Sequence, residues 1–535
     1  MTMRCPHSLL ISVAVFSTAV ALSGCKQESE SPQKTVLPLE ELRGERSRLA
    51  HKKRRVIMNN DGNEPVTKSR EVTRDALLNP RTAALAGSQV DAIFYSSSHG
   101  FSIVTHDTKV GTVWSYKGPG SSNLTPDFIK AGLDPLRVFG EFARTNGIEL
   151  FWSFRVDDTH DAGRPVSFEN NPFKVANPDL LMGTKDDPPL ARGAWSAVDY
   201  GKEKVREMAF RLSEEVCRNH DVDGIEWDFW RHTVYFKNSA MLQPCTQEQL
   251  DQMTGLIRRV RMMTEEEGRK RGRPILFAVR VPDSLEYCRA IGLDVERWLK
   301  EDLVDLLITS GYTQMNPWEY SAQLAKKYGK PFYASLDDCR IKGDENASAM
   351  RATPLARRAR AMEAWRAGAD GLYTFNLFDQ HNPFWREAGD PEELNGMDKD
   401  YFSSFRGTGR AYGLPYKPYM NVSILTPQDP LPLSPGQTVS VPLPMCDDFK
   451  AATARGLSPS TTLRLQFSGN PPGMQYSLND RPLSAPVREG DWLVFDVDPA
   501  FLAKGDNLVN LQLPADAAPG LKLKDLLLQV RYHPK

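Results

Sequence analysis

Ten consecutive residues carry the densest chemistry in the chain: Asp223-Gly224-Ile225-Glu226-Trp227-Asp228-Phe229-Trp230-Arg231-His232. Glu226 and Asp228 stand two apart. On a strand they share one face, about 6.6 Å from each other along it. Trp227 and Phe229 then point to the opposite side. Two close carboxylates separate in pKa, because the first charge disfavours the second. A protonated acid beside an ionised base or nucleophile is what acid/base and nucleophilic chemistry require. A structural reading stands beside this one: Glu226 pairs with an interior arginine, Arg155 or Arg280, as part of the frame.

Other apolar runs end the same way. One closes on Ser335-Leu336-Asp337-Asp338, another on Arg155-Val156-Asp157-Asp158-Thr159-His160-Asp161, another on Arg280-Val281-Pro282-Asp283. Asn59-Asn60-Asp61, Ser96-Ser97-Ser98-His99 and Asn376-Leu377-Phe378-Asp379 complete the set. Singly, such residues cap helices or make turns. Together, with Trp152, Trp195, Trp230, Tyr312 and Trp318 among or near them, they supply carboxylates, amides and aromatic faces that suit a sugar ring. Asp228 and Asp337 are the candidate catalytic pair, with Glu226 as an assisting carboxylate. Arg155, Asp157, His160, Trp230, Arg231, Arg280 and Asn376 are candidate substrate contacts. Several arginines at one mouth suit an anionic or sulfated glycan through bidentate bonds; pairing with Glu226 and Asp228 accounts for them equally well. No Gly-x-Ser-x-Gly or His-Glu-x-x-His occurs, and nine scattered His give a triad little support. His160 with Asp157 and Asp161 has metal-ligand types, but no metal and no cofactor is expected.

These groups need a frame to converge. Eight short apolar runs read as buried parallel strands: 55–59, 91–96, 148–156, 223–229, 275–281, 304–310, 331–337 and 371–378. Helical periodicity lies between most of them. Val205, Met208, Leu212 and Val216 share a face, as do Leu250, Met253, Ile257 and Val260. Thr353-Pro354 opens a further helix, with proline at its first position. The alternation predicts a (β/α)₈ TIM barrel over 52–415, with functional groups at the C-terminal strand ends. An open doubly wound sheet normally shows a Gly-rich phosphate turn after its first strand, and Asn59-Asn60-Asp61-Gly62 stands there instead. Beyond about 416, Pro-rich segments precede alternating strands at 462–467, 492–497 and 507–511. Residues 420–535 are predicted to form an all-β sandwich. Such a domain either binds glycan or braces the barrel, and with no row of aromatics evident bracing is the expected role.

The whole chain has 535 residues and a net charge of -1, so the electrostatic signature of a nucleic-acid binder is absent. Arg4 precedes an apolar stretch, Leu9 to Leu22, of signal-peptide length. It ends in Leu22-Ser23-Gly24-Cys25, which resembles the lipobox of bacterial lipoproteins. That resemblance implies a signal peptide over 1–24, lipidation of Cys25, a polar tether over 25–51, and a lipid anchor in the bacterial cell envelope. Lys26 rather than Asp follows, so nothing argues for inner-membrane retention. The run His51-Lys52-Lys53-Arg54-Arg55 is expected to be a solvated lead-in to the first strand. Five cysteines remain after Cys5 and Cys25, without CxxC spacing, so zinc is not expected.

The arrays DGIEWDFWRH, ELFWSFRVDDTHD, NNDGNE, GLDVERWLKEDLVDLLI and GADGLYTFN resemble the glycosyl-hydrolase-like family 10 barrels over residues 52–415. The resemblance implies the barrel fold and a glycoside hydrolase acting on a poly- or oligosaccharide. The fourth-strand array is also similar to the Asp-Gly-x-Asp-x-Asp-x-Glu stretch of family 18 chitinases. There Glu226 replaces the middle Asp, Asp228 matches the last Asp, and Trp230 replaces the acid Glu. The replaced acid argues against substrate-assisted chemistry. It also keeps a rival open: a cell-surface glycan-binding lipoprotein without turnover. The 420–535 region looks like the jelly-roll-type domains that accompany glycosidases.

Overall fold

The computed structural model describes residues 36–118, 122–187, 190–191, 193–341, 344–409 and 411–535. The expected signal peptide, Cys25 and the first part of the expected tether lie outside the described residues. No helix among the described residues is long and apolar enough to cross a membrane.

Eight parallel strands close into a barrel: β1 (Val56–Asn60), β2 (Val90–Tyr95), β3 (Glu149–Arg155), β4 (Gly224–Asp228), β5 (Leu276–Val281), β6 (Leu306–Thr309), β7 (Phe332–Ser335) and β8 (Gly371–Thr374). β1 pairs with both β2 and β8, which closes the ring. Every predicted strand run overlaps one of these strands. Ile57, Phe94, Phe151, Leu276, Ile308 and Tyr373 belong to the cluster that fills the interior. Alternation does the rest. Trp227 faces the outer layer and donates to Ser213 Oγ at 3.1 Å, while Phe229 packs on Trp298.

Helices α1 (Leu39–Ala50), α2 (Glu203–Asn219), α3 (Gln247–Arg271) and α4 (Pro354–Arg366) follow the predicted periodicity, with one difference. α1 lies in the segment expected to be tether. Leu42, Arg46 and Ala50 recur every four residues and are buried against the barrel, and Arg43 and Arg46 both reach Glu265 of α3. The composition there is polar, but its spacing is amphipathic. The basic lead-in is exposed at His51, Lys52 and Lys53, as expected, but not at Arg54. Arg54 is fully buried, paired with Glu149 at 2.7 Å, and its Nη1 donates to the backbone of Ala50 and Lys52.

The C-terminal region is a β-sandwich. One sheet carries Lys399–Phe402, Lys522–Pro534, Leu457–Phe467, Trp492–Val497 and Val487–Glu489; the other carries Thr438–Met445, Gly505–Gln512, Gln475–Leu478 and Arg481–Pro482. The strand Lys399–Phe402 comes from the segment predicted to be barrel. It pairs antiparallel with 527–530 and carries the chain directly from one fold into the other. Arg351 donates to both oxygens of Asp525, at 2.9 and 2.7 Å, with both side chains buried. Cys217, Cys245, Cys288, Cys339 and Cys446 are free thiols.

Candidate active site

Register places the carboxylates. In the β3–β4–β5 ladder Glu226 lies between Ser153 and Ala278, and Asp228 between Arg155 and Arg280. Ser153 Oγ donates to Glu226 Oε2 at 2.5 Å and Tyr373 Oη donates to the same oxygen at 3.2 Å, leaving Oε1 without a partner. Burial first, then the charge of Asp228, push the Glu226 carboxyl up to about 8. It is a neutral acid at pH 7. Its expected arginine partner is replaced by two hydroxyls.

Arg280 gathers the other two acids. Its Nη1 donates to both oxygens of Asp228 at 3.0 Å, and its Nη2 donates to Asp337 Oδ2. Ser335 Oγ donates to the other oxygen of Asp337. Burial works against the guanidinium charge, but the two aspartates outweigh it and hold the pKa of Arg280 above its ordinary value. Asp228 and Asp337 therefore do converge at one rim. They meet across an arginine, however, and not across a cavity: Glu226, Asp228, Asp337 and Arg280 are each 1% exposed or less. Arg280 is thus a partner of the acids and lies clear of the cleft lining, which corrects its expected role as a substrate contact.

A roof covers this group. Phe375 stacks on Arg280 at 4.2 Å, and Tyr312 meets Phe375 edge-on at 6.0 Å. Asn376 Nδ2 donates to Tyr312 Oη at 2.7 Å, so the side chain predicted to contact substrate holds the roof instead. Arg340 and Arg231 lie over the Tyr312 ring at 4.0 and 5.8 Å. Ser310 and Asn376, just past β6 and β8, both adopt left-handed backbone (φ 73° and 64°), a strain that functional rims tend to store.

The open cleft lies to one side, over the ends of β1 to β4, and has a volume of about 240 Å³. Asp61 and Asn63 line it after β1; His99, Trp114 and Tyr116 after β2; Arg155, Asp158, His160, Asp161 and Arg164 after β3; and Arg231 after β4. Arg155 donates to Asp61, to His99 Nδ1 at 3.2 Å and to Asp158 at 3.4 Å. Burial opposes the charge of Asp61, yet Arg155, Arg81 and Arg231 keep its carboxyl below the usual range. Burial likewise opposes Asp158, but His160 and Arg155 hold it well below. His160 pairs with Asp158 through Nδ1 at 2.6 Å and receives Arg231 at Nε2, which fixes its proton on Nδ1.

Of the predicted substrate contacts, Arg155, His160 and Arg231 line the cleft. Besides Arg280 and Asn376, two others do not. Asp157 is fully buried, accepts from the Asp158 N–H at 2.8 Å, and is pushed well above the carboxylate range by burial. Trp230 is 3% exposed, packed on Tyr416 at 5.6 Å and seated over Gly311. Its ring takes the space a Gly311 side chain would fill. Asp61 and Asp158 were visible as polar strand ends. Trp114 and Tyr116 had no such signal, because their loop lies well past β2.

Asp158, His160 and His232 bring one possible ligand atom each within 4.8 Å of one another. The donors are engaged elsewhere. Thr159 N–H donates to His232 Nδ1 at 3.2 Å, both nitrogens of His160 are bonded, and Arg155 and Arg231 crowd the spot with positive charge. The group fits a hydrogen-bonded cluster, not a cation site.

No protein-family model matches the chain, and no curated protein sequence does. Solved structures do align with it. The glycoside hydrolase domain of PgaB (BpsB) from Bordetella bronchiseptica is 13% identical over 61% of this chain and 94% of that one, with a TM-score of 0.38. Alpha-L-fucosidase isoenzyme 2 from Paenibacillus thiaminolyticus is 12% identical over 64% of this chain and 48% of that one, with a TM-score of 0.38. The cycloisomaltooligosaccharide glucanotransferase of a Paenibacillus species is 9% identical over 89% of this chain and 57% of that one, with a TM-score of 0.35. The chain spans about half the length of the two Paenibacillus enzymes.

Proposed function

We propose that this chain is a glycoside hydrolase acting on a poly- or oligosaccharide at the C-terminal rim of its barrel, with Asp228, Asp337 and Glu226 as its carboxylates. The observation that carries the reading is their convergence. Asp228 from β4 and Asp337 from just beyond β7 meet on one guanidinium, with Glu226 two residues before Asp228 on the same strand, beside a polar cleft lined by Trp114 and Tyr116. Glu226, kept neutral, has a proton to give, and Arg280 stabilises negative charge on its neighbours. A carboxylic acid beside a carboxylate is the pair that glycosidic cleavage uses. Tyr312 contacts both Arg231 of the cleft lining and Phe375 over Arg280, so this reading requires Tyr312 and Phe375 to shift before a substrate reaches the acids. Changing Asp228 to Asn and assaying a glycan panel tests this: turnover falls about 10²–10⁴-fold with the fold intact. Full turnover by the variant removes Asp228 from the chemistry.

One observation favours a second reading, a glycan-binding protein without turnover. All three carboxylates are sealed from solvent, and Trp230 stands where chitinases carry an acid. Micromolar binding with no released sugar across the same panel decides for it. In either reading the protein sits in the cell envelope, lipid-anchored through Cys25. A Cys25→Ser chain is expected to leave the membrane fraction on fractionation; retention there refutes the anchor.

A further inference from the structure

The arginines of the rim divide once their partners are known. Arg280 is consumed by Asp228 and Asp337, and Arg155 largely by Asp61 and Asp158. Arg231 bonds no carboxylate, although Asp61 and Asp158 lie near enough to favour its charge. It is 9% exposed, lines the cleft, and gives one nitrogen to His160, while its Nε and Nη1 have no hydrogen-bond partner. The same holds for other lining residues. His99 accepts from Arg155 at Nδ1, so its Nε2 carries a proton, and that N–H is unpartnered. Trp114 Nε1 and Arg155 Nε are unpartnered as well. Among the described residues, the side chains that line the cleft therefore carry five N–H donors without acceptors, each sealed from solvent as the cleft stands, against one such oxygen, Asp161 Oδ1.

That imbalance has a chemical meaning. A buried donor left unpaired is costly, and an acceptor arriving with a ligand removes the cost. Sugar hydroxyls both donate and accept. Carboxylate and sulfate oxygens only accept, and they bond guanidinium most strongly. Charge agrees with hydrogen bonding. Asp161 is neutralised by Lys174 at 2.8 Å, which leaves the guanidiniums of Arg155, Arg164 and Arg231 facing the carboxylates of Asp61 and Asp158. The volume is below the roughly 300–1,000 Å³ of a drug-sized site, and so suits one sugar unit.

We infer that the cleft takes an anionic sugar unit, a uronate or a sulfated residue, whose acidic oxygens are received by Arg231 with Arg155, His99 and Trp114. The inference rests on the reading of the cleft as a glycan site, but not on turnover. It is tested by measuring binding of short oligosaccharides in matched pairs: oligouronates against their carboxyl-reduced forms, and sulfated oligosaccharides against their desulfated forms. The charged member of a uronate or a sulfate pair binds at least tenfold tighter, and the pair that discriminates identifies the acid. Arg231→Gln abolishes the tenfold difference, so that charged and neutral members bind alike. Arg164 is exposed on the rim, so Arg164→Gln keeps the fold and weakens the salt dependence of binding. Neutral members binding as tightly as charged ones, or no binding in either series, overturns the inference. Cleavage of a neutral glycan then still upholds the hydrolase; tight binding of an anionic one without cleavage refutes the hydrolase alone.

Discussion

At the residue scale, the site is a study in which charge finds which partner. Arg280 and Arg231 are both rim arginines. One is held by two aspartates; the other has a histidine and unfilled donors. Glu226 is the third case, an acid kept neutral by burial beside Asp228. Its neutrality has a sign that stability measurements read. The folded pKa of about 8 lies above the unfolded value of about 4.5. Its contribution is fully present below the unfolded pKa and is lost as pH rises through the folded one. Glutamine cannot titrate. The stability of Glu226→Gln relative to the parent is therefore expected to rise between pH 5 and pH 8, by about 1 kcal/mol per pH unit. Urea unfolding of both proteins at the two pH values measures it. A pH-independent difference means that Glu226 is ionised when folded.

At the scale of elements, β4 and the loop after it explain both the successes and the errors. Period-two alternation sent Glu226 and Asp228 inward and Trp227 outward, as a strand must. The alternation ends with the strand at Asp228. Trp230 lies beyond it and turns back over the β6 loop, where only glycine leaves room. A Cβ at Gly311 falls 0.9 Å from Trp230 Nε1. Gly311→Ala forces the indole out and is expected to destabilise the protein by about 1–3 kcal/mol, read as a lower urea midpoint with altered tryptophan fluorescence. An unchanged midpoint means that the loop adapts. α1 teaches the converse. Its composition reads as tether, yet the four-residue spacing of Leu42, Arg46 and Ala50 already described a docked helix.

At the scale of the whole molecule, barrel and sandwich are joined by buried charge. Arg351, beside the barrel helix Pro354–Arg366, reaches Asp525 of the sandwich, and within the sandwich Lys399 reaches Asp447 at 2.8 Å with Tyr401 on the same carboxylate. Removing one partner strands the other without compensation. Asp525→Asn is expected to cost about 3–5 kcal/mol, seen as a fall in the thermal midpoint monitored by far-UV circular dichroism. A loss below about 1 kcal/mol, the worth of a surface pair, means that the contact does not brace the two folds.

Local pattern by itself determined the eight strands, their alternation with helices, the β-rich C-terminal region and the inward acids of β4. Each of these depends on spacing along a short stretch of chain, which is visible without knowing what lies opposite. Tertiary structure alone decided the partners. Arg280 on β5 takes Asp228 from the neighbouring strand and Asp337 from beyond β7, and the loop carrying Trp114 closes a cleft over β1 to β4. Ion pairing and cavity shape follow distance in space, and residues far apart in sequence set that distance only when the ring of strands closes.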